Sequence, residues 1–170
     1  MKFFFLSLLA LVLLAGCSES NKVKSPKKEY SHDVGDILFD SQTDDPTFTL
    51  CDSTKIITRR KALDYQGDRS KIGPACLEKF KFQPEFESFT GYITIRFIVN
   101  CNNESGRFRA KSLGSDFSLK EAPDSLKKHL VDIVQSLSGW NHAYENDAAF
   151  DIVKFINFKI TNGQIDNVLQ

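Results

Sequence analysis

The sequence predicts an α+β domain, an antiparallel sheet with a helix packed on one face and elements in the order β-β-α-β. Three observations carry that expectation. Residues 92–99 alternate, with Ile93, Ile95, Phe97 and Val99 on one face and Tyr92, Thr94, Arg96 and Ile98 on the other. Leu126, Leu130, Ile133, Val134 and Leu137 recur at helical spacing after Pro123-Asp124-Ser125, and Gly139 ends the run. Residues 150–160 alternate again, with Ile152, Ile156, Phe158 and Ile160 together and Val153, Phe155, Asn157 and Lys159 opposite. The helical stripe is the natural cover for the Ile, Phe and Val face. Burying side chains of that size is worth about 1.5–3 kcal/mol each before entropy is subtracted.

The chain has 170 residues, enough for one domain with a hydrophobic core. Lys plus Arg and Asp plus Glu both number 22, so the formal charge is zero. The one basic run, Lys22, Lys24, Lys27 and Lys28, is too short for a phosphate-binding surface, which argues against a nucleic-acid partner. Lys2 and the apolar residues 3–14 form a signal peptide over 1–16, shorter than the ~20 residues a membrane span needs. Leu14-Ala15-Gly16-Cys17 is similar to the lipobox of bacterial lipoproteins. That resemblance implies cleavage before Cys17, diacylation of its sulfur and acylation of the new N-terminus. An ordinary cleaved signal beside a chance cysteine is the alternative. Several acyl chains anchor a protein stably where one holds it marginally. Ser18, rather than Asp, after the cysteine points to the outer membrane, with the domain facing the periplasm. Residues 17–35 then read as a lipidated cysteine and flexible tether, and 36–170 as the domain.

Within the domain, 47–51 alternates weakly through Phe48 and Leu50 and predicts a short strand, while 55–63 fits strand and helix equally. Tyr65-Gln66-Gly67-Asp68 predicts a turn. Gly73-Pro74 opens a short helix that ends before Pro84, with Leu77 and Phe80 three apart. Residues 100–106 are turn formers, so 92–99 and 107–113 make a hairpin. Its second strand puts Phe108 and Ala110 on one face and Arg107, Arg109 and Lys111 on the other. Trp140 closes one end of the core, 141–149 is a polar loop, and Asn162-Gly163 turns the chain into a final strand over 164–169.

Residues 72–160 resemble a TonB C-terminal domain. The matching features are Phe82-Gln83-Pro84, the strand from Gly91 through Phe97 to Val99, a Gly-containing turn, the helix at 126–137, Trp140, and a last strand with Phe158. The resemblance implies a sheet edge, here 151–160, that pairs with an extended segment of another envelope protein. Val153, Phe155, Asn157 and Lys159 would form its exposed face. The alternative is that 164–169 pairs there and blocks the edge. The chain lacks the membrane helix and Pro-rich arm of an energy transducer. The expected function is therefore a lipid-anchored envelope protein that binds protein or peptide without transducing energy. A structural or cell-wall-associated lipoprotein is the second reading.

No catalytic set, metal site or cofactor motif emerges. His32, His129 and His142 are scattered, and neither His-x-x-x-His nor Cys-x-x-Cys occurs. A third reading, an enzyme with a cleft between the two halves, rests only on how little 18–91 reveals. Arg107, Arg109 and Lys111 form a stripe that suits a solvated face or an acidic partner. Cys51, Cys76 and Cys101 allow one disulfide and one leftover thiol, or three thiols, and the sequence does not choose among the pairs.

Overall fold

A computed structural model describes residues 37–56, 65–66, 68–145 and 148–169. The signal peptide, Cys17, the tether and most of 55–63 lie outside the described residues. The elements are α1 (Ile72–Lys79), β1 (Gly91–Val99), β2 (Ser105–Gly114), α2 (Asp124–Gln135), β3 (Ala143–Glu145), β4 (Ala148–Phe150), β5 (Ile152–Thr161) and β6 (Gln164–Leu169). The fold is α+β. β2, β1, β5 and β6 lie side by side, in that order, in one antiparallel sheet, and β3 and β4 form a separate two-stranded ribbon. Among the described residues no helix is long and apolar enough to cross a membrane.

The core forms where the alternating strands meet the helical stripe. Ile93, Ile95, Phe97 and Val99 are fully buried, as are Ile156 and Phe158 of β5 and Leu126, Leu130 and Val134 of α2. Trp140 closes one end, 5.0 Å from the Phe97 ring and 4.8 Å from that of Tyr65. α2 begins without a side-chain cap, and Pro123 O accepts from Lys127 N–H at 3.0 Å. Its hold on the sheet comes from packing more than from its ends. Asn162 and Gly163 both have positive φ, as a two-residue hairpin between β5 and β6 requires. Any side chain at Gly163 would collide with the Phe86 backbone, so glycine is also demanded by close approach.

Several expectations need correcting. Residues 47–51 form no strand; they run as turns and irregular backbone held by side chains. The loop at 141–149 contains the β3–β4 ribbon, and Asp151 separates it from β5. β2 carries an irregularity in register opposite Arg96 to Ile98, and Arg107 there takes φ +55°. For β5, of the two arrangements weighed from the sequence, the one with 164–169 paired beside it is observed. β5 is an inner strand with β1 on one side and β6 on the other, and β6 pairs with Asn157 to Thr161.

Candidate functional site

That topology divides the predicted edge residues of β5 between a stretch paired with β6 and a stretch before it. Val153, Phe155 and Asn157 are half-buried on the sheet face opposite α2. Asn157 Oδ1 accepts from Thr94 Oγ1 at 2.6 Å, and Lys159 pairs with Asp166 of β6. Asn157 and Lys159 lie where β6 pairs, whereas Val153 and Phe155 lie on the part of β5 that precedes that pairing. Sheet edges are normally protected, and β6 does so over 157–161.

The arginine stripe meets the chain's own N-terminal arm, residues 37–56. Arg109 holds the Asp44 carboxylate with two bonds, Nη1 to Oδ1 at 2.6 Å and Nη2 to Oδ2 at 2.7 Å. The same guanidinium donates to Leu38 O and Phe108 O. Asp44's side chain is only 2% exposed, and the Arg109 bonds hold its carboxyl below the usual carboxylate range. Arg107 donates to Ile37 O at 3.2 Å and lies over the Phe39 ring. The stripe is fastened from within, so its guanidinium groups are not an open platform for an acidic partner. Lys111 remains exposed.

The arm's other end is tied more firmly. Cys51 and Cys101 form the disulfide, with Cα atoms 6.1 Å apart, while Cys76 is the buried leftover thiol. Burial pushes the Cys76 thiol up to about 12, which makes it unreactive near neutral pH. Beside the disulfide, Asp151 is 1% exposed and its carboxylate accepts three backbone N–H groups, from Cys51, Asp52 and Cys101. Asn100, fully buried, accepts from the N–H groups of Asn102 and Glu104 and donates to Thr49 O and Glu104 Oε2. Buried polar groups with every bond made fix one arrangement of the backbone. Neither Asp151 nor Asn100 stands out in the sequence. The one available signal was a lone polar residue beside each apolar run.

Arm, β2 and α2 together enclose a groove of about 480 Å³. Its floor is Gly106, Phe108 and Ala110 of β2. One wall is Lys127, Val131 and Gln135 of α2, spaced one helical turn apart. The other is Asp44, Asp45, Thr47 and Phe48 of the arm. A side chain at Gly106 would collide with the Phe48 ring, so this glycine lets the arm close over the strand.

His32 lies outside the described residues, and His129 and His142 take structural places. His129 Nε2 accepts from Lys81 N–H at 3.1 Å, with the ring against Phe80 and Phe86, and His142 bonds Asn103. Metal-type ligand atoms gather at Cys51, Cys101 and Asp151, within 4.8 Å of one another, but both sulfurs are spent in the disulfide. No known protein family, curated protein or solved structure matches this chain.

Proposed function

We propose that this chain is a lipid-anchored bacterial envelope protein whose TonB C-terminal-like domain binds another protein or peptide, without enzymatic activity and without transducing energy. The observation that carries the reading is the order of elements around one core: α1, the β1–β2 hairpin, α2, Trp140 at the core's end, and a long strand with buried Phe158. The Cys17 lipobox supplies the anchor and the outer-membrane, periplasm-facing location. Recognition would be by main-chain pairing to an outer strand, with side chains adding selectivity. β6 is one such strand, and Gln164, Asp166, Asn167 and Leu169 along it are exposed.

Pull-down from envelope extracts tests this reading. The wild-type chain should capture a partner, and Asn167→Lys with Leu169→Lys should release it, because lysines on an edge oppose strand pairing. A partner retained in full by the double variant would count against strand addition at β6. Labelling with a fatty-acid analogue should mark the wild type and leave Cys17→Ala unmarked.

One observation favours the second reading, a structural or cell-wall-associated lipoprotein. The strand expected to offer an edge is covered by β6 over 157–161. Retention of the protein on purified peptidoglycan, with no protein captured from extracts, would support it.

A further inference from the structure

β2 is the other outer strand of the sheet, and part of its outer side is already occupied. Gly114 N–H donates to Ser118 O at 2.8 Å there, and Leu113 bridges to Leu119. Alternate residues of an antiparallel strand aim both backbone groups to the same side. Over the continuous register from Gly114 to Arg109, Ser112 and Ala110 therefore turn their N–H and C=O outward as Gly114 does. Phe108 O is met by Arg109 Nη1 at 2.9 Å. That leaves both groups of Ala110 facing the groove, where no strand pairs with β2 among the described residues.

The charges around the groove are unequal in their partners. Asp44 is matched by Arg109, Lys127 by Glu121 and Asp124, and Lys128 by Asp132. Arg107 is engaged with the Phe39 ring and Ile37 O. Asp45 and Glu104 differ. Their carboxylates accept from Thr47 and from Asn100, respectively, and among the described residues neither forms an ion pair. The lining thus combines outward strand groups, an apolar strip of Phe108, Ala110 and Val131, and two carboxylates that no cation meets among the described residues.

We propose that this groove takes an extended peptide segment that adds to β2 as a fifth strand. Apolar side chains rest on Phe108 and Val131, and a basic side chain reaches Asp45 and Glu104. The inference rests on the reading of the protein as a peptide binder but moves the binding to β2, away from β6. Main-chain bonds to Ala110 would supply affinity, and the alternation of the added strand would send successive side chains to the two walls.

The test uses the full chain in detergent and a fluorescent, end-blocked peptide of alternating valine and lysine, with a valine–glutamate peptide as control. Anisotropy should show binding of the lysine peptide and much weaker binding of the glutamate peptide. Hydrogen exchange should slow in β2 around Phe108 and Ala110 and not in β6. Ala110→Pro removes an outward N–H, a change outer strands tolerate, and should abolish binding. Asp45→Asn with Glu104→Gln leaves the strand intact and should weaken binding about two- to fivefold per carboxylate, the range of exposed ion pairs. Equal binding of both peptides, protection at β6 alone, or full binding by Ala110→Pro would overturn the proposal. Capture of an envelope partner that the β6 lysines release, with β2 left unprotected by the lysine peptide, would keep the proposed function and remove this inference.

Discussion

Residues 37–56 form no strand of the sheet, and they and the β1–β5–α2 core are held in place by different physics. The core closes through apolar side chains that are each fully buried, from Ile93 and Phe97 to Ile156 and Leu130. The arm contributes one buried hydrophobic residue, Ile37, while Leu38 and Phe39 are exposed. What fixes it is polar and covalent: the Arg109–Asp44 pair, the three bonds to Asp151, the Asn100–Thr49 bond and the Cys51–Cys101 disulfide. Apolar burial is spread over many partners, so it survives the loss of one. Polar fastening depends on a few groups, each directional and each costly to leave unmatched once buried. The arm should therefore come loose without the core, but not the core without the arm.

Three changes probe that difference. The largest effect is expected in the core, where Phe97→Ala leaves a cavity against Phe108 and Trp140 and should cost about 3–5 kcal/mol. Chemical denaturation with tryptophan emission as the signal reads it, and both regions should melt earlier together. A loss confined to the arm would contradict the comparison. Next is the disulfide, which spans 50 residues of sequence. Cys51→Ser with Cys101→Ser should cost about 2–5 kcal/mol, as removal of a native bridge from a small domain does. Proteolysis should cut within 37–56 first while the strands stay protected. Simultaneous cutting in β1 and β5 would mean that the arm and core are one unit.

The smallest effect concerns acid. Arg109 lowers Asp44's folded-state value below its ordinary 3.8, so the pair's contribution is complete above pH ~4 and fades as pH falls through the lowered value. Charged hydrogen bonds of this kind are worth about 1.5–3 kcal/mol. Amide shifts of residues 38–44 should change on acidification in the wild type and be pH-independent over the same window in Asp44→Asn. An identical acid transition in both proteins would assign it to another carboxylate.

Much of the core could be read in advance and almost none of the arm could. Periodicity is a local property, so 92–99, 126–137 and 152–160 declare their buried faces without knowledge of their neighbours. The bonds of Asp151 to Cys51 and of Arg109 to Asp44 join residues far apart in sequence, and nothing periodic marks them. Arg107 and Arg109 illustrate the limit. The sequence shows two cations on one face of a strand, and only the folded chain shows that its own arm supplies the acceptors. The β5 alternation has the same limit, because inner and outer strands with one buried face alternate alike.

By itself, then, the sequence determined the α+β class, the helix that covers β1, the Trp140 closure and the Asn162-Gly163 turn. Each follows from spacing or from a dihedral that few residues accept. The tertiary structure alone decided that Cys51 pairs with Cys101, that β6 flanks β5, and that the arm walls a groove over β2. Those outcomes depend on which surfaces meet after collapse, and the meeting is set by contacts between distant segments.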